Sequence, residues 1–291
     1  MKKIKENIIL GVKGFIMGIA NIIPGVSGGT LALTLGIYER FIGAISHFLS
    51  NLKENIKFLL PIAIGLCLAI LSMSRVIDYS YEHFPIPTTL FFVGLVIGGI
   101  PMLYHKVKGK KEGKQISSWI ILLMTFSLVI VMAFADQLFG TTAKVNLSGL
   151  DLWGYIILFF VGMIAAATMV IPGVSGSLVL MLLGYYYPIL KVVKSLTKFE
   201  NLGENIMIAG IFGVGVLVGI VLISKIIEFL LKKFETKTYY GVLGFIFASI
   251  LAIPISTYNE VENLVFSVPQ ILIGIIFMAI GGLIAYKLGD E

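Results

Sequence analysis

Runs of roughly twenty apolar residues, the length that spans the hydrocarbon core of a bilayer as one α-helix, constrain the fold of this chain more than any other feature. Short charged segments separate these runs. The chain is 58% hydrophobic and 13% charged, whereas soluble domains carry about 25% charged residues. The sequence therefore predicts an all-α polytopic membrane protein, with clear spans at 57–75, 88–103, 116–135, 206–224, 239–255 and 268–286.

The charged segments predict the orientation of the chain. Lysine is concentrated in 1–13, 104–115 and 225–237, and acidic residues outnumber basic ones in 75–87, 136–152 and 256–267. Lys-rich loops favour the cytoplasmic side, which places both termini in the cytoplasm. Because the lysines are explained by cytoplasmic loops, the net charge of +6 does not indicate nucleic-acid binding. We therefore expect membrane lipids as partners and no nucleic acid.

Two further apolar stretches, 8–49 and 153–194, must each begin and end on one side of the membrane if the six spans are threaded in this way. Each is therefore predicted to be a hairpin, either re-entrant or made of two full crossings. A cleaved signal peptide is the alternative for the first residues. Lys13 interrupts its apolar region, so we expect an uncleaved segment.

The chain contains two copies of one unit. The sequence IPGVSG at 23–28 recurs at 171–176, and NLKENI at 51–56 faces NLGENI at 201–206. We expect repeat 1 over 1–145 and repeat 2 over 146–291, each with one hairpin and three spans. Because three is odd, the second copy starts on the opposite side of the membrane. Such an inverted-topology repeat is typical of secondary transporters, which bind substrate near the bilayer midplane.

Both hairpins contain a Pro/Gly break, and we call residues 21–30 and 168–177 the first and the second elbow. Proline and glycine interrupt a helix, and such a break persists at membrane depth where it is packed in protein or lines a wet cavity. Ser27 and Ser175 stand where N-caps are expected. The freed backbone N–H groups of restarting helices favour an anion. The alternative is that the breaks merely kink tightly packed helices.

Glu39 and Arg40 are a charged pair just past the first elbow. An ionisable pair in or near a membrane usually marks a substrate or proton path, so we expect Arg40 to neutralise a substrate anion, with Glu39 as its partner or as a proton carrier. The alternative is a pair that reaches the headgroups from a helix end.

Other motifs predict packing alone. The GxxxG pairs at Gly14 and Gly18, at Gly94 and Gly98, and at Gly215 and Gly219 favour close helix contacts. Trp119, Trp153 and Tyr239 are among the aromatic residues expected in an interfacial belt.

Long motifs carry a family resemblance: GIANIIPGVSGGT at 18–30, GIYE at 36–39, FFVGLVIGGIP at 91–101 and ATMVIPGVSGS at 167–177. With these motifs the chain resembles the bacterial polyprenyl-phosphate transporters. The resemblance implies flipping of undecaprenyl phosphate from the outer to the cytoplasmic leaflet of the bacterial cytoplasmic membrane, which recycles the carrier lipid of envelope synthesis. We predict the headgroup-binding residues to be Asn21, Ser27, Gly28, Gly29, Thr30, Glu39, Arg40, Thr168, Ser175, Gly176 and Ser177.

Two other functions stay open from sequence. A secondary transporter of a small soluble anion needs the same site without an opening to lipid. An intramembrane lipid phosphatase needs a nucleophile or a metal with a base, but the three histidines and the single cysteine are widely spaced. We expect no enzyme activity, no metal and no cofactor. Coupling to H⁺ or Na⁺, lipid tail preference and oligomeric state are left undetermined.

Overall fold

A computed structural model describes residues 2–22, 27–110, 115–134, 145–174, 176–261 and 267–289. Every regular element in these ranges is an α-helix. Numbered in chain order, the described helices are α1 (Lys2–Ile22), α2 (Gly28–Thr34), α3 (Tyr38–Ser46), α4 (Leu52–His83), α5 (Pro85–Gly98), α6 (Ile100–Val107), α7 (Ile116–Ala133), α8 (Leu152–Val170), α9 (Gly176–Leu182), α10 (Tyr186–Thr197), α11 (Leu202–Lys233), α12 (Glu235–Glu260) and α13 (Val268–Gly289).

Seven helical segments among the described residues are long and apolar enough to cross a membrane. Six of them contain the predicted spans, although the described part of 116–135 ends at Phe134. The seventh is α8, the first limb of the hairpin predicted over 153–194. The prediction of an all-helical polytopic membrane protein is thereby confirmed.

Two expected loops are largely helical. The spans predicted over 57–75 and 206–224 extend into 32-residue helices, α4 and α11, which cover most of the charged segments that follow them. Charged residues beyond the hydrocarbon core continue a helix as readily as apolar ones, because Lys, Arg and Glu have high helix propensity. A single residue, Phe84 or Phe234, then joins each long helix to the next.

The span predicted over 88–103 is interrupted. Helix α5 ends at Gly98 and α6 begins at Ile100, with Pro101 in its first turn. Gly99 lies between them against Thr34 of the first hairpin, where a Cβ would collide with the threonine side chain. The interruption therefore lets α2 approach the α5–α6 junction closely.

Helices α1 and α4, α8 and α11, α5 and α13, and α7 and α12 pack as pairs. Glycines bring the backbones together, as the GxxxG motifs predict. A Cβ on Gly14 or Gly18 would collide with Ile62 or Leu66 of α4. A Cβ on Gly94 or Gly98 would collide with Met278 or Gly282 of α13. A Cβ on Gly215 or Gly219 would collide with Phe159 or Met163 of α8.

Each hairpin turns back partway along its long partner helix. Gly18, just before the first elbow, packs on Leu66 near the middle of α4. After α2 and α3 the chain returns to the start of α4, where the Asn55 side chain donates to the carbonyl of His47 over 2.8 Å. The second hairpin follows the same course, with Met163 beside Gly219 near the middle of α11. Both hairpins therefore follow equivalent paths along their long partner helices.

The two hairpins share a turn after their short helices. Gly36 and Gly184 have φ of +73° and +77°, a backbone region that glycine enters without strain. In each case the glycine N–H and the next N–H donate back to two carbonyls of the short helix, which is a Schellman motif. The repeated Leu-Gly pair at 35–36 and 183–184 thus has a repeated structural role.

Candidate functional site

The two elbows contact each other directly. Ser27 is the N-cap of α2, and its Oγ accepts from the N–H of Gly29 over 3.2 Å. The same hydroxyl lies 3.1 Å from the carbonyl of Met169 and 3.3 Å from that of Ile171, between which its hydrogen is shared. The N-cap role predicted for Ser27 is confirmed, and its hydroxyl also bonds to the other half of the chain.

A second bond runs across the elbows in the opposite direction. The N–H of Gly173 donates to Oγ1 of Thr30 over 2.6 Å. Only 1% of Thr30 is exposed, and 4% of Ser27. Both side chains are therefore sealed in the elbow junction in this conformation, and neither hydroxyl faces an open cavity.

Tyr38 closes the junction from the side of α3. Its hydroxyl donates to the carbonyl of Val170 over 3.3 Å, and Gly29 packs so closely on that carbonyl that a Cβ there would collide with it. Tyr38 was not among the predicted site residues. Its recurrence as Tyr186 in the second copy is the sequence signal that could have indicated it.

The other elbow residues lie around this junction. Asn21 is partly buried beside Gly28, and Thr168 bonds to the Ala165 carbonyl of its own helix over 2.7 Å. Gly176 is buried and packs against α8, and Ser177 is partly buried. Ser175 lies outside the described residues.

Glu39 and Arg40 have separate partners. Glu39 Oε1 lies 2.8 Å from Nζ of Lys106 on α6 and accepts a hydrogen bond from the hydroxyl of Tyr239 on α12. The guanidinium of Arg40 instead lies 4.3 Å from the ring centre of Phe58. Glu39 is therefore not the partner of Arg40, as one of its two predicted roles required. It connects α3 to α6 and α12 instead.

The pKa of Glu39 follows from these contacts, and its helix α3 lies outside the seven candidate spans. Burial raises this pKa, but the hydrogen bonds from Lys106 and Tyr239 outweigh burial, so the net pKa is below the ordinary value. The carboxylate of Glu39 is therefore ionised at neutral pH.

The expectation that Tyr239 belongs to an interfacial belt is wrong, because only 2% of it is exposed. Trp119 and Trp153 are exposed as expected.

Open space surrounds the junction on the side of Arg40. Arg40 and Gly36 line both a cavity of about 630 Å³ and one of about 480 Å³. Tyr38 lines the second of these and also an apolar groove of about 490 Å³ that reaches Pro172 of the second elbow. Among the described residues, no group of three or more His, Cys, Asp or Glu side chains is placed to hold a metal ion.

Residues 17–267 match the sequence model of the family described as undecaprenyl phosphate translocase-like. The chain belongs to this family. A polyprenyl-phosphate transporter of Staphylococcus aureus is 32% identical over 247 residues, which cover 83% of this chain and 84% of that protein. A polyprenyl-phosphate transporter of Vibrio cholerae is 27% identical over 253 residues, covering 82% of this chain and 75% of that protein. No solved structure matches the chain.

The residues matched to the family include both elbows and the cluster of Glu39, Lys106 and Tyr239. Sequence reasoning treated Lys106 as a topology determinant and missed its contact with Glu39, because nothing in the spacing of residues 39, 106 and 239 brings them together. The signal that was available is the presence of Glu39 where the second copy has Tyr187.

Proposed function

We propose that this protein moves a polyprenyl phosphate, such as undecaprenyl phosphate, between the leaflets of the bacterial cytoplasmic membrane without chemically altering it. The main observation in support is that the two Pro/Gly elbows contact each other beside the middles of α4 and α11. Broken backbone at such depth is tolerated where it is packed in protein or lines a cavity. Of the described elbow residues, Ser27 and Thr30 are packed in protein and Pro172 lines a groove. Both relatives are polyprenyl-phosphate transporters, which supports this substrate class.

An inverted repeat is part of this proposal. The start of α4 and the end of α11 both meet α3: Arg40 of α3 covers Phe58, and Ser46 bonds to Glu228. The corresponding helices of the two copies therefore run in opposite directions past one hairpin. The helix pairs between the copies also correspond. Helix α5 of the first copy packs on α13 of the second, and α12, the counterpart of α5, packs on α7 of the first copy. These contacts support two oppositely oriented units, 1–145 and 146–291.

The proposed orientation places both termini in the cytoplasm. Lys110 is paired with Glu235 and Lys106 with Glu39, so the Lys-rich segments around 106 and 235 share one end of the molecule with the first hairpin. Gly289, near the chain end, lies against Gly36 at the same end. By the positive-inside bias this end faces the cytoplasm.

The elbow junction would act as the gate on the headgroup path. Three donors hold it, those of Ser27, Gly173 and Tyr38. A hydrogen bond contributes about 0.5–1.5 kcal/mol net, so contacts with a phosphate can replace these bonds. When the elbows part, the hydroxyls and backbone N–H groups of the two elbows become available to the headgroup. The polyprenyl tail stays in lipid throughout, so only the charged head needs a path.

Transport in liposomes tests the function. Purified protein is reconstituted with labelled undecaprenyl phosphate, and appearance of the lipid in the opposite leaflet is compared with uptake of small anions. We expect the lipid to exchange and the small anions to stay excluded. Uptake of small anions without lipid exchange would favour the soluble-anion alternative, and release of inorganic phosphate from the lipid would favour the phosphatase. Repeating the assay with H⁺ or Na⁺ gradients tests the coupling ion.

A further inference from the structure

The cavity of about 630 Å³ lies between α1, α3 and the start of α4, at the Lys-rich end of the molecule. Its charged lining consists of Lys13, Arg40, Lys57, Glu6 and Glu54. The three cations outnumber the two carboxylates. This cavity adjoins the elbow junction through α2 and α3 but is separate from it.

The most buried of these charges is positive. Lys13 is 3% exposed, whereas the other four charged residues are exposed. Lys13 faces the cavity with Glu6 and Leu10, at the spacing that places side chains on one face of α1. Water screens a buried charge less than an exposed one, so its attraction for an ion of opposite sign is stronger. The depth of the charge thus favours an anion as the occupant.

Arg40 is held in place at the side of this cavity. Its guanidinium lies 4.3 Å from the ring centre of Phe58, of which only 2% is exposed. A cation held over an aromatic ring is attracted to it, and a fixed guanidinium presents its planar fork of donors with little further loss of freedom. That fork matches the oxygens of a phosphate.

We propose that Lys13 and Arg40, with Lys57 at the mouth, form a binding site for a phosphate monoester, which carries a charge of about −1.5 to −2 at pH 7. The site deepens the function proposed above: it would hold the lipid headgroup on the Lys-rich side of the elbow junction. Glu6 and Glu54, both exposed, favour release over indefinite retention by repelling the same anion.

A neighbouring groove makes a lipid the expected bearer of the phosphate. An apolar groove of about 610 Å³ runs between the same two helices, α1 and α4, and shares Asn7 with the charged cavity. Its walls include Ile8, Leu60, Ile64 and Leu68. A polyprenyl tail in this groove would end where the charged cavity begins. Inorganic phosphate offers the same anionic chemistry without a tail, so the two ligands are compared experimentally.

Thermal unfolding of the intact protein in detergent measures binding, because a ligand of the folded state raises the unfolding temperature. The probes are inorganic phosphate and undecaprenyl phosphate, each against sodium chloride of equal ionic strength. We expect both to stabilise the wild type, the lipid at lower concentration. Lys13→Met and Arg40→Gln should weaken the apparent affinity for both by about tenfold or more. Lys13→Arg should retain it, and so should the control Lys53→Gln, an exposed lysine of α4 that does not line the cavity.

Transport by the same variants separates this inference from the proposed function. If the wild type exchanges lipid while Lys13→Met and Arg40→Gln bind and transport as the wild type does, the site is wrong and the function stands. If the wild type exchanges no lipid, the function is wrong, and phosphate binding that depends on Lys13 still supports the anion site. Stabilisation by inorganic phosphate but not by the lipid would overturn the assignment of a lipid headgroup.

Discussion

The hydroxyl of Ser27 lies 3.1 Å from the carbonyl oxygen of Met169, 142 positions away in the chain. One serine therefore caps a helix in the first half and bonds to the second half. Loss of this hydroxyl removes both interactions at once.

We expect Ser27→Ala to lower the stability of the protein. Loss of an N-cap costs about 0.5–2 kcal/mol, and here the carbonyls of Met169 and Ile171 also lose a donor. Unfolding temperature in detergent is the measurement. The control is Ser72→Ala on the exposed face of α4, where the serine bonds only within its own helix. Equal unfolding temperatures for the two variants would contradict the role of the junction.

Thr30→Val tests the second bond of the junction. The shape of the side chain is kept, but the N–H of Gly173 loses its acceptor, and an unsatisfied buried donor costs about 1–3 kcal/mol. Thr34→Val is the matched control, because Thr34 is equally buried on the same helix and bonds only to the carbonyl of Leu31. The loss of stability should be larger for Thr30→Val. A larger loss for the control would argue against the bond between the elbows.

The contact between Glu39 and Lys106 predicts part of the pH dependence of stability. The pKa of Glu39 is lower in the folded protein than its ordinary value, so its contribution is present at neutral pH and is lost as the pH falls through the folded-state pKa. Unfolding temperatures of the wild type and Lys106→Gln are compared between about pH 7 and about pH 3. The difference between them should shrink toward acid pH. The control is Lys108→Gln, which removes an exposed lysine that lies over the ring of Tyr104 and forms no ion pair with an acidic residue in the described part of the chain. This control should show no such pH dependence. A difference for Lys106→Gln that is constant with pH would count against the ion pair.

Two glycines of α11 predict opposite effects. A Cβ at Gly219 would collide with Met163 of α8, whereas one at Gly213 meets no heavy atom within 4 Å. Gly219→Ala should therefore destabilise the protein. Gly213→Ala should leave stability unchanged or raise it by up to about 1 kcal/mol, because alanine favours the helix. Unfolding temperatures decide, and destabilisation by both substitutions to the same extent would contradict the packing of α8 on α11.

The sequence predicts the long helices well, because a bilayer-length apolar run leaves few alternatives to a spanning helix. It also predicts the helix restart after Ser27 and the GxxxG contacts, which depend on local composition. The break at Gly99 was missed, because its cause is the distant side chain of Thr34.

The candidate site is less predictable than the helices. The identity of the two IPGVSG segments indicates equivalent positions, but the bonds between Ser27 and Met169, or between Gly173 and Thr30, depend on how the halves are docked. Charge alone gives no distinction between Lys13, buried beside a cavity, and the exposed Lys5 of the same helix. Only the three-dimensional arrangement separates them.

The bond from Gly173 to Thr30 also bears on how the protein is made. A nascent chain that has emerged only through α7 can insert its first helices, but the partners of Ser27 and Thr30 have not yet been synthesised. The first hairpin must therefore wait for residues 169–173 to leave the ribosome before its polar groups are satisfied within the protein. Biogenesis of the N-terminal half is in this way incomplete until translation passes the second hairpin.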